Sequence, residues 1–159
     1  MKKKTLSVLL RLIILGFGAA WLLGLCVVYP RFADGLAHVY PDFSSWLLPW
    51  SALLLLVSLP VFAALCLAWP VADSIKNDRE FSAKNSRIFH TVSLLAAGDT
   101  ALLFAGNLLL YAFGKNHPAL FLLCLCVCLA GCAAAVVCQG LSMLTAHAEK
   151  LQQQSDLTI

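Results

Sequence analysis

The segment WLLPWSALLLLVSLPVFAALCLAW, residues 46–69, decides how the rest of this chain is read. It carries no charged side chain, and Trp46, Trp50 and Trp69 stand at or near its two ends. About 20 apolar residues in a helix cross the ~30 Å of hydrocarbon in a bilayer, so a run of this length predicts a transmembrane helix. Tryptophan near both ends fits, because the indole ring has an apolar body and a polar edge suited to the headgroup level. Pro49 lies near the start of the run, where a helix tolerates proline. Pro60 lies well inside and predicts a kink, since it removes one backbone hydrogen bond.

Three further runs of this kind follow once the first is recognised, at residues 6–29, 88–113 and 119–142. Composition agrees. The chain has 159 residues, is 61% hydrophobic and only 12% charged, and its mean hydropathy is +0.86. Soluble domains carry about 25% charged residues. No segment between the runs is long enough for a second folded unit, so residues 1–159 are expected to form one all-α, polytopic domain. Its expected form is four transmembrane helices in an antiparallel bundle, with a loop at 73–87 and a tail at 143–159. The run at 6–29 has a basic start and small residues at Gly18, Ala19 and Ala20, as a signal peptide would. It continues through Trp21 to Tyr29 instead of ending there, so a retained helix is expected.

Charge sets the expected orientation. Lys2, Lys3, Lys4, Arg11, Lys76, Arg79, Lys84, Arg87 and Lys150 all belong to the two termini and the 73–87 loop. Of the eleven basic residues, only Arg31 and Lys115 lie in the other two connections. Basic residues are retained on the cytoplasmic side, which predicts both termini inside and the 30–45 and 114–118 connections outside.

The seven cysteines all fall within the runs. Disulfide frameworks belong to small secreted domains, and no cysteine–histidine set has zinc spacing. Cys124, Cys128, Gly131, Ala135, Cys138, Ser142 and Thr145 instead recur in steps of four and three, which puts them on one face of the fourth helix. Small side chains on one face let membrane helices approach closely. Gly16, Ala20 and Gly24 make a similar face on the first helix and suggest a neighbouring helix or self-association into a homo-oligomer. Asp34, His38 and Asp42 recur every four residues, but Pro41 interrupts that helix, so neither a metal nor another cofactor is expected.

Asp99 is the one acidic residue deep in a run, about 16 Å past Ile88 and near the midplane. A carboxylate there is expensive unless paired, protonated or hydrated. Ser86, Ser93, Thr100, Asn107 and Gly114 repeat every seven residues as a polar stripe beside it, and Gln139 on the fourth run is a candidate partner. Asp99, Thr100, Asn107 and Gln139 are therefore the candidate intramembrane polar site. No nucleophile with a paired base and no phosphate-binding glycine loop is present in the sequence, so an enzyme is not expected.

At the 73–87 loop, Ser82 is placed to cap a helix that begins near Ala83. The segment Glu80-Phe81-Ser82-Ala83-Lys84-Asn85, the pairs Gly98-Asp99 and Gly106-Asn107, and the ending Gln154-Ser155-Asp156-Leu157-Thr158-Ile159 together resemble DUF2975, a family of small four-helix bacterial membrane proteins of unknown function. The resemblance covers essentially the whole chain, with Glu80 standing where the family commonly has proline. It implies a location in the bacterial inner membrane and a small helix-turn-helix regulator as a cytoplasmic partner, with no direct nucleic-acid contact by this chain. Phe81, Ser82, Asn85, Asp156, Leu157, Thr158 and Ile159 are the expected contact positions. The leading expectation is a non-catalytic regulatory or interaction protein. The alternative is a small transporter, channel or ligand sensor built around Asp99.

Overall fold

The computed structural model describes residues 3–39, 41, 44–76 and 81–156, and every described element is helical. Helix α1 (Lys3–Leu23) passes through a π-helical turn (Gly24–Val28) into α2 (Tyr29–Val39). Helices α3 (Ser44–Lys76), α4 (Ala83–Ala112) and α5 (Pro118–Asp156) follow. Four stretches are long and apolar enough to cross a membrane: Lys4–Gly35, Ser44–Lys76, Ala83–Ala112 and Pro118–Gln154. The protein is thus a multi-pass membrane protein. Each helix outruns the apolar segment legible in its sequence, because polar residues extend helices past the hydrocarbon.

The π turn has a local cause. Pro30 has no amide hydrogen, and in a regular helix its ring would press on the carbonyl four residues back. The backbone widens over Gly24–Val28, and the Tyr29 amide donates to the Gly24 carbonyl. Helix α3 continues through Pro49, Pro60 and Pro70. Hydroxyls in these spans turn back on their own helices: Ser51 donates to the Leu47 carbonyl at 2.6 Å, Ser58 to Leu54 at 2.6 Å and Ser74 to Pro70 at 3.0 Å. In lipid a hydroxyl without a partner is costly, and the carbonyl one turn back is the nearest acceptor.

The turn between α4 and α5 is built on Gly114, which has φ +68. Only glycine adopts this left-handed conformation without strain. The Gly114 amide donates to Tyr111 and the Lys115 amide to Leu110, which closes the end of α4 as a Schellman motif. Gly114 thus ends α4 rather than continuing its polar stripe.

The helices lie side by side in chain order, α1 on α3, α3 on α4, and α4 on α5, the last pair sharing the most extensive interface. Ser7 meets Ala72 and Tyr29 meets Ser51, and Ser86 meets Ser142 and Asn107 meets Phe121. Leu53, Val57 and Leu110 form a small apolar core with Trp50, Leu102 and Leu103 against it. Most large apolar side chains, such as Phe17, Leu59, Leu129 and Val136, point outward. That is the arrangement of a lipid-facing surface, where no hydrophobic force drives helices together and packing and hydrogen bonds decide the contacts.

Candidate functional site

Four rungs at seven-residue intervals join α4 to α5. Ser86 and Ser142 donate to each other's carbonyls, each at 2.9 Å. Ser93 donates to the Ala135 carbonyl at 2.8 Å, the Cys128 thiol points at the Thr100 carbonyl at 3.8 Å, and Asn107 donates to the Phe121 carbonyl at 3.2 Å. The α4 stripe therefore faces the small-residue seam of α5. Cys128, Ala135, Ser142 and Thr145 are buried in that interface, and Cys124 and Cys138 are half-buried. Gly131 lies so close to Thr100 that a methyl group there would collide with the Thr100 hydroxyl.

Of the candidate intramembrane residues, Asp99 and Thr100 line the same cavity. It measures about 300 Å³ and lies between α3, α4 and α5, with Pro60, Ala64, Leu95 and Ala134 among its walls. Asp99 Oδ1 is buried and has no hydrogen-bond partner among the described residues. The Thr100 hydroxyl is committed to the Ala96 carbonyl at 2.7 Å. Asn107 sits two turns away and serves the Gly114 turn. It is fully buried, and its Oδ1 accepts from Asn116 Nδ2 at 2.6 Å. Gln139 accompanies a different residue, with its Oε1 3.0 Å from His90 Nδ1. The structure thus divides the candidate set: Asp99 and Thr100 at the cavity, Asn107 at the α4–α5 turn, Gln139 with His90.

The end of the molecule that carries Ser82 has its own polar ties. The Ser7 hydroxyl donates to the Ala72 carbonyl at 2.6 Å. Arg11 pairs with Asp73 and lies over the Trp69 ring, 5.3 Å from its centroid. Asp73 is a partner that sequence reading missed, because residues 62 positions apart meet only through the packing of α1 on α3. Its visible signal was an acidic residue just past Trp69, at the same level as Arg11.

Ser82 accepts the Asn85 amide at 3.4 Å and caps α4 as expected. Asn85 itself is 1% exposed, and its Oδ1 receives the Ser74 hydroxyl at 3.1 Å. These two residues hold the α3–α4 junction, whereas Phe81 is 54% exposed beside them. Helix α5 continues well past the level of Ser82. Thr145 is still buried, but Leu144 is 68% and Leu151 66% exposed. Asp156 is the last helical residue, and Leu157, Thr158 and Ile159 lie outside the described residues. So do residues 77–80 and Asp42, so the expected Asp34–His38–Asp42 spacing is described only in part, with Asp34 and His38 both exposed on α2. Among the described residues no three histidine, cysteine or acidic side chains are grouped to hold a metal.

Residues 31–159 match the family described as "Protein of unknown function (DUF2975)". The chain belongs to this family. The matched region takes in the later part of the first long helix and all of α3, α4 and α5, and leaves α1 outside, so the likeness is narrower than the sequence alone implied. No curated protein and no solved structure matches the chain.

Proposed function

We propose that this DUF2975 member is a non-catalytic regulatory or interaction protein of the bacterial inner membrane. It is an antiparallel four-helix bundle with both termini cytoplasmic, and it binds a cytoplasmic partner through the 73–87 loop and the end of α5. The observation that carries this reading is the length of α5. Its 39 residues span about 58 Å, close to twice the hydrocarbon thickness. The part of α5 beyond the cap of α4 turns Leu151 outward, and Leu144 faces outward at the level of the first turn of α4. A helix extended past its packing partner with apolar side chains outward is suited to lie in the groove of another protein. Phe81 adds an exposed aromatic at the same end. Family resemblance nominates a helix-turn-helix regulator as that partner.

To the expected contact positions Phe81, Ser82, Asn85, Asp156, Leu157, Thr158 and Ile159 this reading adds the turns of α5 around Leu144 and Leu151. In native cells, cross-linking followed by purification should recover a DNA-binding regulator with the full chain. It should be lost from a chain truncated at Lys150, which keeps the buried Thr145 and the Ser86–Ser142 rung. Recovery of the same regulator with both chains, or of none with the full chain, would remove this reading.

A further inference from the structure

We propose that the Asp99 cavity binds a small lipophilic organic cation, an amine or quaternary ammonium whose apolar body fills the space between α3, α4 and α5 and whose charge meets the Asp99 carboxylate. This goes beyond partner binding and rests on different residues.

The cavity's chemistry selects the ligand. Asp99 lies near the middle of α4, 16 residues after Ala83 and 13 before Ala112, or about 20–24 Å from either end. A carboxylate at that depth needs a counter-charge or a donor. Among the described residues its walls supply no counter-charge, and the Cys138 thiol there is only a weak donor. Pro60 has no amide hydrogen, the Thr100 hydroxyl is already used, and the other lining residues include Val61, Ala64, Leu65 and Val92. Among the described residues no lysine, arginine or histidine lines the cavity. His90, earlier along α4, is engaged with Gln139.

Hard metal ions do not fit. Calcium takes six to eight oxygen ligands and magnesium demands an octahedron, whereas among the described residues only Asp99 and Thr100 bring side-chain oxygen here. A neutral apolar ligand would fill the volume and leave the acid unpaired. A lipophilic cation satisfies both walls and charge. Size is also suitable, since an apolar cavity of roughly 150 Å³ holds benzene, so about 300 Å³ accommodates a body of roughly ten to twelve heavy atoms. Other grooves differ in kind: the one between α1 and α3, lined by Ile14, Leu22, Phe62 and Trp69 among others, has no charged lining residue among the described residues.

The test uses radiolabelled benzyltrimethylammonium, which has about eleven heavy atoms and so matches the cavity. Equilibrium binding is measured on the full chain in phosphatidylcholine nanodiscs, with empty nanodiscs as blanks. One saturable site is expected. Asp99→Asn and the cavity-filling Ala64→Leu should each weaken it by about tenfold or more, the scale of one charged contact or of lost volume. Neopentylbenzene, the neutral carbon isostere, should not compete. Both variants are checked for helix content and monodispersity. If Asp99→Asn does not fold, Ala64→Leu decides alone, because it leaves the acid in place. Absence of saturable binding to the wild type, binding that Ala64→Leu leaves intact, or equal competition by the neutral isostere would overturn the proposal.

Discussion

Asn107 is fully buried, donates to the Phe121 carbonyl and accepts from Asn116. It thereby ties α4, the turn and the start of α5 at one point. Removing it leaves an amide nitrogen on Asn116 and a carbonyl on Phe121 without their partner in a site closed to water. Asn107→Ala is therefore expected to destabilise the fold by about 1–3 kcal/mol, read as a lowered thermal midpoint in detergent micelles. A midpoint unchanged from wild type would show that these bonds are dispensable. The seven-residue recurrence that includes Asn107 was legible in the sequence, but its purpose was not. A polar stripe within an apolar run looks the same whether it faces a ligand or a neighbouring backbone. Only the arrival of Ala135, Phe121 and Ser142 opposite it decides for the backbone. Arg11 and Asp73 were individually visible and their pairing was not, because that contact exists only once α1 lies on α3.

At the scale of the helix, α5 combines two roles along one length. Its first part packs on α4 through small residues, and Gly131 marks the tightest approach. Gly140 lies on the same helix with open space around it. Alanine normally favours a helix over glycine by ~1 kcal/mol. Gly140→Ala is thus expected to leave stability equal or higher, whereas Gly131→Ala should lower it by about 1–3 kcal/mol through collision with Thr100. Opposite signs in thermal unfolding would confirm that close approach, and two stabilising substitutions would contradict it. The seam was read correctly from spacing because its period of seven residues matches helix geometry whatever the partner. Gly16 and Gly24, read the same way on the first helix, have nothing of this chain within reach of an added methyl group. Small-residue spacing names a face and does not by itself name an occupant.

Across the whole molecule, the ties that α3 makes to its neighbours gather at the two ends, while the rungs between α4 and α5 run along their length. Ser7, Arg11, Asp73, Ser74 and Asn85 fasten one end. At the other, Tyr29 and Ser51 meet at 2.7 Å, Trp50 Nε1 donates to the Lys115 carbonyl at 3.1 Å, and Asn107 bonds Asn116. Between them, Asp99 Oδ1 lies beside a cavity with no partner among the described residues. The four spans were legible in hydropathy alone. The cavity was not, because it depends on how Pro60, Asp99 and Gly131 from three helices fall at one level. The surplus of α5 was legible as a helical tail, though its exposure depends on where α4 stops.

The most direct measurement of the central claim is photo-cross-linking from Leu151 in native cells, with a photoreactive amino acid at that position and, as the comparison, at the outward-facing Val136. The account predicts that Leu151 yields an adduct with a cytoplasmic DNA-binding regulator and that Val136 does not, which would also place the end of α5 on the cytoplasmic side. Adducts confined to lipid or to extracytoplasmic proteins at Leu151, or the same adducts from both positions, would contradict it.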